Sequence, residues 1–230
     1  MHSIRAFTLL DLLAVVLILA VAAFFLLPPF CSVSQPARRA SCMMNVRQIG
    51  LAMFQYAGDH DDHFMRLVDA NGNVVPAVDN EGHVSVLPSR TAFALLLKDG
   101  YITTTKVFVC PSSTEQANPS FPTDFKNTPL QKLVFSDEHC SYGCDPTKAH
   151  SVDASCAIVA DKPPVGVSKA NEGTVKNNSD NHKGEGQNIF YNDGHVKWST
   201  TPGTESGTDP DIYTGGPDYW KSKTDVKIIR

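Results

Sequence analysis

Three things are missing from this chain of 230 residues, and each absence removes a class of function. There is no basic excess: 20 Lys and Arg stand against 24 Asp and Glu, a net charge of −4. A chain with no basic face has no electrostatic footprint for phosphate backbones, so nucleic acid is not an expected partner. There is no local catalytic signature either, neither a His-Glu-x-x-His pair nor a nucleophile elbow. The Gly184-x-Gly186 segment precedes a strand instead of opening a helix, so it is no phosphate loop, and the chain is not expected to be an enzyme. Finally, the six cysteines form no paired Cys-x-x-Cys knuckles. Zinc at Cys140 and Cys144, with His139 and His150 beside them, is therefore a weaker reading than a local disulfide among Cys140, Cys144 and Cys156. Six cysteines fit an oxidising compartment; Cys42 and Cys110 stand apart, and Cys31 lies at the edge of an apolar run.

That run is the most informative stretch present. From Phe7 to Phe30 the sole charge is Asp11. Its length exceeds the roughly 20 residues that cross a hydrocarbon core of about 30 Å. A secretory signal would be shorter and would carry its small residues after the apolar stretch, whereas Ala20 to Ala23 lie within it. An ordinary membrane anchor accounts for the hydropathy but not for Asp11, because an acid in apolar surroundings costs a few kcal/mol and usually has a partner or a task. Pro28-Pro29 should kink or interrupt the helix.

Beyond the prolines, Gln35 to Tyr56 resumes a helical pattern in which Cys42, Val46, Ile49, Met53 and Tyr56 share one face, with Arg38, Asn45 and Gln48 opposite and Gly58 as the stop. The acidic run 59–63 reads as a solvated helix end or as a divalent-cation loop. Residues 66–89 are a polar excursion with turns at Asn71-Gly72-Asn73 and Asn80-Glu81-Gly82. Thr91 to Leu97 suggests a short helix, Val107 to Cys110 and Ala157 to Ala160 suggest buried strands, and Ser113 to Gln131 a surface loop. Asp193-Gly194, between β-prone runs, predicts a two-residue hairpin with Tyr191 opposite Val196 and Ile189 opposite Trp198, an apolar face that can cover a helix. Asn188, Phe190, Asn192, His195 and Lys197 then fall on the polar face. His182, Asp193, His195, Asp161 and Asp180 make a divalent-metal set if they converge; otherwise His182 shapes a loop and Asp193 serves the turn. The tail from Thr200 is turn-rich.

Four segments resemble type IV prepilins and type II secretion pseudopilins. Arg5-Ala6-Phe7-Thr8-Leu9-Leu10-Asp11-Leu12-Leu13 resembles their cleavage and methylation segment, with Ala6 in place of the usual Gly and Asp11 in place of Glu. Cys42, Asn45, Gln48 to Ala52 and Tyr56, and then Phe108, Cys110, Pro111 and Ser112, match fragments common in such proteins. Asn181-His182-Lys183-Gly184-Glu185-Gly186-Gln187-Asn188, followed by Asp193-Gly194, is similar to a C-terminal signature of His, about nine residues, and Asp-Gly; here the spacer holds ten.

The resemblance implies an α+β, pilin-like fold: a long N-terminal helix, membrane-spanning in its first half, packed on a small antiparallel sheet with much loop. Its parts would be a leader (1–6), a transmembrane and assembly helix (7–30), an amphipathic continuation (31–58) and a periplasmic or extracellular globular domain (59–230). It implies cutting between Ala6 and Phe7 by a prepilin peptidase that also methylates Phe7, and an assembly role for Asp11 against a neighbour's amine. The expected partners are that peptidase, copies of the chain or other pilins in a filament, and the bacterial inner membrane, with the short N-terminus cytoplasmic. Arg38, Arg39 and Arg47 would by the positive-inside rule favour the opposite orientation. Related major pseudopilins bind calcium in a C-terminal loop, which places possible Ca²⁺ ligands at Asp209 and Asp211. The alternative is a membrane-tethered periplasmic module that binds a metal or ligand and does not polymerise.

Overall fold

A computed structural model describes residues 9–26, 35–65, 77–78, 84–85, 89–145, 148, 150, 152–215 and 227–228. Ala6, Phe7, Pro28-Pro29 and Cys31 lie outside the described residues. The chain divides into two units, Met1–Ser34 and Gln35–Arg230.

The first unit holds α1 (Leu9–Leu26), with Asp11 in its first turn. Its large side chains from Leu9 to Val21 are between 46% and 83% exposed, and they cover every face of the helix. Among the described residues no helix is long and apolar enough to cross a membrane. The 18 residues of α1 rise only about 27 Å, short of the roughly 30 Å required. The expected span from 7 to 30 runs past both ends of α1, into residues outside the described set.

The second unit is built on α2 (Gln35–Asp59), whose buried residues include Cys42, Val46, Ile49, Met53 and Tyr56, the stripe read from the sequence. Burying Val46, Ile49 and Met53 stabilises the fold by about 1.5–3 kcal/mol each. The helix runs one residue past Gly58; the chain then turns through Asp61 and Asp62, both in the left-handed region at φ 53° and 62°. Strands β1 (Ala77–Val78) and β2 (Val84–Ser85) pair antiparallel, and the predicted Asn80-Glu81-Gly82 turn lies outside the described residues. Helix α3 (Ser89–Lys98) buries Ala92, Phe93, Leu96 and Leu97, and its Ser89 hydroxyl exchanges hydrogen bonds with the backbone of Cys144.

The main sheet is antiparallel, in the order β3 (Tyr142–Cys144), β4 (Ala157–Asp161), β5 (Gln187–Tyr191), β6 (Val196–Ser199). With the helices and extensive loops this is the expected α+β architecture. Two expectations are overturned. Val107 to Cys110 is no strand: Thr105–Phe108 is a 3₁₀ turn, started by the Thr104 side chain accepting from Lys106 N–H. The β5–β6 hairpin is also one residue out of the predicted register. Phe190 pairs with Val196 and Asn188 with Trp198. The connection is a turn in which Gly194 N–H reaches Tyr191 C=O and Tyr191 N–H reaches His195 C=O, with Gly194 at φ 87°. That is a three-residue loop with a bulged glycine, not a two-residue turn.

The slip exchanges the faces of β5. Phe190, read as facing the polar side, instead packs on α2, its ring 5.1 Å from that of Phe54, and a Cβ added at Gly50 would stand 2.4 Å from it. Tyr191 turns the other way, where its hydroxyl accepts from Glu205 N–H in the tail. Both faces of β5 are therefore covered, and all five of its residues are buried.

Candidate functional site

The signature segment folds into a short 3₁₀ turn, Asp180–His182. Ser179 starts it by accepting from Asn181 N–H, and Lys183 ends it in the left-handed region, with Gly184 following at φ 75°. Gly186 then lets the chain approach β6, since a Cβ there would lie 2.2 Å from the Ser199 carbonyl oxygen. This path buries His182 and Asn181 against the ends of β4 and β5.

At the centre is Asp161, fully buried. One carboxylate oxygen accepts from Asn181 Nδ2 at 2.8 Å; the other accepts from Asn188 N–H at 2.6 Å and Asn188 Nδ2 at 3.1 Å, and faces His182 Nε2 at 3.4 Å. Tyr213 donates its hydroxyl hydrogen to the Asp161 carbonyl at 2.8 Å, and burial holds that phenol well above its ordinary pKa. Asn181 also donates to Ser141 C=O at 2.6 Å, and the Ser141 hydroxyl accepts from Cys110 N–H at 2.9 Å and donates to Glu115. Glu115 pairs with Lys162.

The ring closes through sulfur. His182 Nε2 lies 3.6 Å from Cys110 Sγ, and Cys110 is joined by a disulfide to Cys42 of α2. The Trp198 ring meets the imidazole edge-on at 5.0 Å, and Arg39 of α2 lies 4.4 Å over that indole while pairing with Glu185. Four atoms of this cluster are buried without a hydrogen-bond partner: His182 Nδ1, Asn181 Oδ1, Asn188 Oδ1 and Arg39 Nε.

The predicted residues distribute unevenly around this cluster. His182 and Asp161 come together, but Asp193 does not join them. It sits exposed in the turn beyond the end of β5, two residues past Tyr191, bonded to His195 at 2.5 Å. Asp180 accepts from Val165 N–H at 3.1 Å. Asp209 and Asp211 are both buried in the tail loop. Asp209 Oδ1 accepts from Asp211 N–H; Asp211 accepts from Asn177 Nδ2, Tyr213 N–H and Gly173 N–H. Burial raises the Asp211 pKa despite these donors.

Cys140, Cys144 and Cys156 are free, buried thiols and form no disulfide with one another. Residues 140 to 144 run extended, which separates the first pair by about 13 Å, and Cys144 pairs with Val159, three positions along from Cys156. Burial pushes Cys140 and Cys156 up to about 12 and Cys144 higher still, so none is poised to react. Of the histidines read beside them, His139 engages Gln116 C=O through Nδ1 at 2.7 Å and His150 lies against Phe54, and among the described residues neither joins these thiols in a close ligand group. The disulfide falls instead on the two cysteines that stood apart. The sequence signal was present, one cysteine in each of two matching fragments, but nothing in it joined them.

Chain and fold together define a small α+β domain carried behind a helix that is apolar all round. Residues 32–64, which include α2 and the turn after it, match the model of a family described as a protein of unknown function (DUF1559). No curated protein and no solved structure matches the chain.

Proposed function

We propose that the chain is a structural, non-enzymatic subunit of a pilin-like filament of the type II secretion or type IV pilus kind, anchored in the bacterial inner membrane and assembled through its N-terminal helix. The observation that carries this reading is α1. Its apolar side chains are exposed on all sides and one acid stands in its first turn. A helix apolar all round is stable when lipid or other helices surround it. Stacked copies of α1 provide that surrounding, and Asp11 set against the Phe7 amine of a neighbouring copy fixes their axial register in low dielectric. The leader before Phe7 is removed by a prepilin peptidase, which methylates the new terminus, and the second unit lies on the periplasmic side.

Two measurements test this. Mass spectrometry of the mature protein gives an N-methylated Phe7; an intact Met1 supports a tethered module instead. Asp11→Ala inserts in the membrane and fails to enter filaments; normal filaments from this variant overturn the role of Asp11.

A calcium ion on Asp209 and Asp211 would relieve the cost of ionising buried Asp211, at the expense of the donors those carboxylates now accept. Titration with Ca²⁺ should then give heat and a raised melting temperature. No heat and an unchanged melt sink this assignment.

A further inference from the structure

We propose that, when the Cys42–Cys110 disulfide is reduced, Cys42, Cys110 and His182 hold a zinc ion, so that one locus of the fold is closed by a covalent bond or by a metal according to redox state.

The first support is placement. Among the described residues, these three form a group whose potential ligand atoms all lie within 4.8 Å of one another. They are 0%, 1% and 3% exposed, the closed surroundings of a structural zinc site. Two thiolates and an imidazole are the ligand set that zinc favours over hard cations.

The second is the state of the imidazole. Nε2 has three polar neighbours, Asp161 Oδ2 at 3.4 Å, Asn188 Nδ2 at 3.4 Å and Cys110 Sγ at 3.6 Å. The oxygen and nitrogen contacts are longer than the usual 2.7–3.2 Å of protein hydrogen bonds. Nδ1 has no partner at all. A buried imidazole held by shape, with neither nitrogen well bonded, calls for an explanation. The distances supply one. Zinc–sulfur and zinc–nitrogen bonds of about 2.3 and 2.0 Å place tetrahedral ligands roughly 3.3–3.8 Å apart, and the contact from Nε2 to Cys110 Sγ already has that length. Asp161 Oδ2, beside Nε2, already accepts from Asn188 N–H and Nδ2 and stays outside that group of three, so a water takes the fourth position.

The chemistry balances with a phosphine as reductant. The phosphine takes oxygen from water and becomes its oxide, while the S–S bond breaks and two S–H bonds form. Zinc then replaces the two thiol protons, which pass to solvent.

The test uses the full chain in detergent, oxidised or phosphine-reduced, titrated with Co²⁺ and then Zn²⁺. The reduced protein is expected to bind one equivalent with the ligand-field and thiolate charge-transfer bands of a tetrahedral cobalt site, which zinc abolishes. The oxidised protein, which keeps its other thiols, should show neither band. His182→Ala retains the disulfide and the oxidised fold, and in the reduced state should lose affinity by about tenfold or more. If reduction unfolds the chain, zinc should restore its circular dichroism. The proposal is overturned if the reduced protein binds no metal, if an unfolded reduced chain stays unfolded with zinc, if the oxidised protein gives the same bands, or if His182→Ala binds as tightly as the parent.

Discussion

Glu115 and Lys162 have side chains only 10% and 8% exposed, and each depends on the other. Burial by itself would raise the Glu115 pKa; the hydrogen bonds from Lys162 and Ser113 outweigh it and leave the carboxyl below its ordinary value. A depressed folded value means that ionisation favours the folded chain. This contribution is complete above the ordinary value near 4.5 and is lost as pH falls through the folded one. Glu115→Gln should therefore flatten the fall of melting temperature on acidification below about pH 4.5. Lys162→Met, which leaves a buried carboxylate without its cation, should destabilise by about 3 kcal/mol at neutral pH and less in acid, read from urea melts at both. Asp211 acts with the opposite sign: its raised value makes ionisation oppose folding as pH climbs from 3.8 through the folded value. At this scale the sequence is readable for residue type but not for company. His182 stands out by its surroundings in the chain, yet its neighbours Cys110 and Asp161 are 72 and 21 positions away by number, and only the packed sheet brings them near.

Among the elements, α2 and β5 show what periodicity can and cannot convey. The buried stripe of α2 follows from a 3.6-residue repeat and is legible because nothing competes with it. The hairpin was legible as a hairpin, since Asp-Gly between β-prone runs admits little else, but its register was not. One extra loop residue decides which face each side chain takes, and the bulged glycine at Gly194 provides it. The cost of a mistake is concentrated at Phe190, which occupies the gap over Gly50. Gly50→Ala raises helix propensity by about 1 kcal/mol in isolation. Here the added methyl meets the Phe190 ring, so the net change should be a loss of about 1–3 kcal/mol in denaturant unfolding, partly restored by a smaller residue at position 190. A variant more stable than the parent would show that α2 and β5 are not in this contact. The strand expected at Val107 to Cys110 failed for a related reason: a short apolar run carries no period, and the Thr104 cap turned it into a 3₁₀ turn.

For the whole molecule, the α+β class follows from one long apolar helix, one amphipathic helix and several short β-prone runs, all visible in the sequence. The tie between α2 and the loop after the 3₁₀ turn was not visible, because the Cys42–Cys110 bond spans a sequence separation of 68. That tie has a mechanical meaning when the domain is pulled from its N-terminal end. Tension entering through Gln35 runs into α2 and meets Cys42 within its first two turns, where the bond passes force directly to Cys110. The residues between them, holding most of α2, all of α3 and the polar excursion, are shielded from the pull. In single-molecule extension the oxidised chain should thus hide roughly 240 Å of contour, 68 residues at about 3.5 Å each, which a reductant releases. Equal contour lengths in both states would show that the force takes another route. A chain pulled at Gln35 can be stretched while the segment from 42 to 110 stays slack.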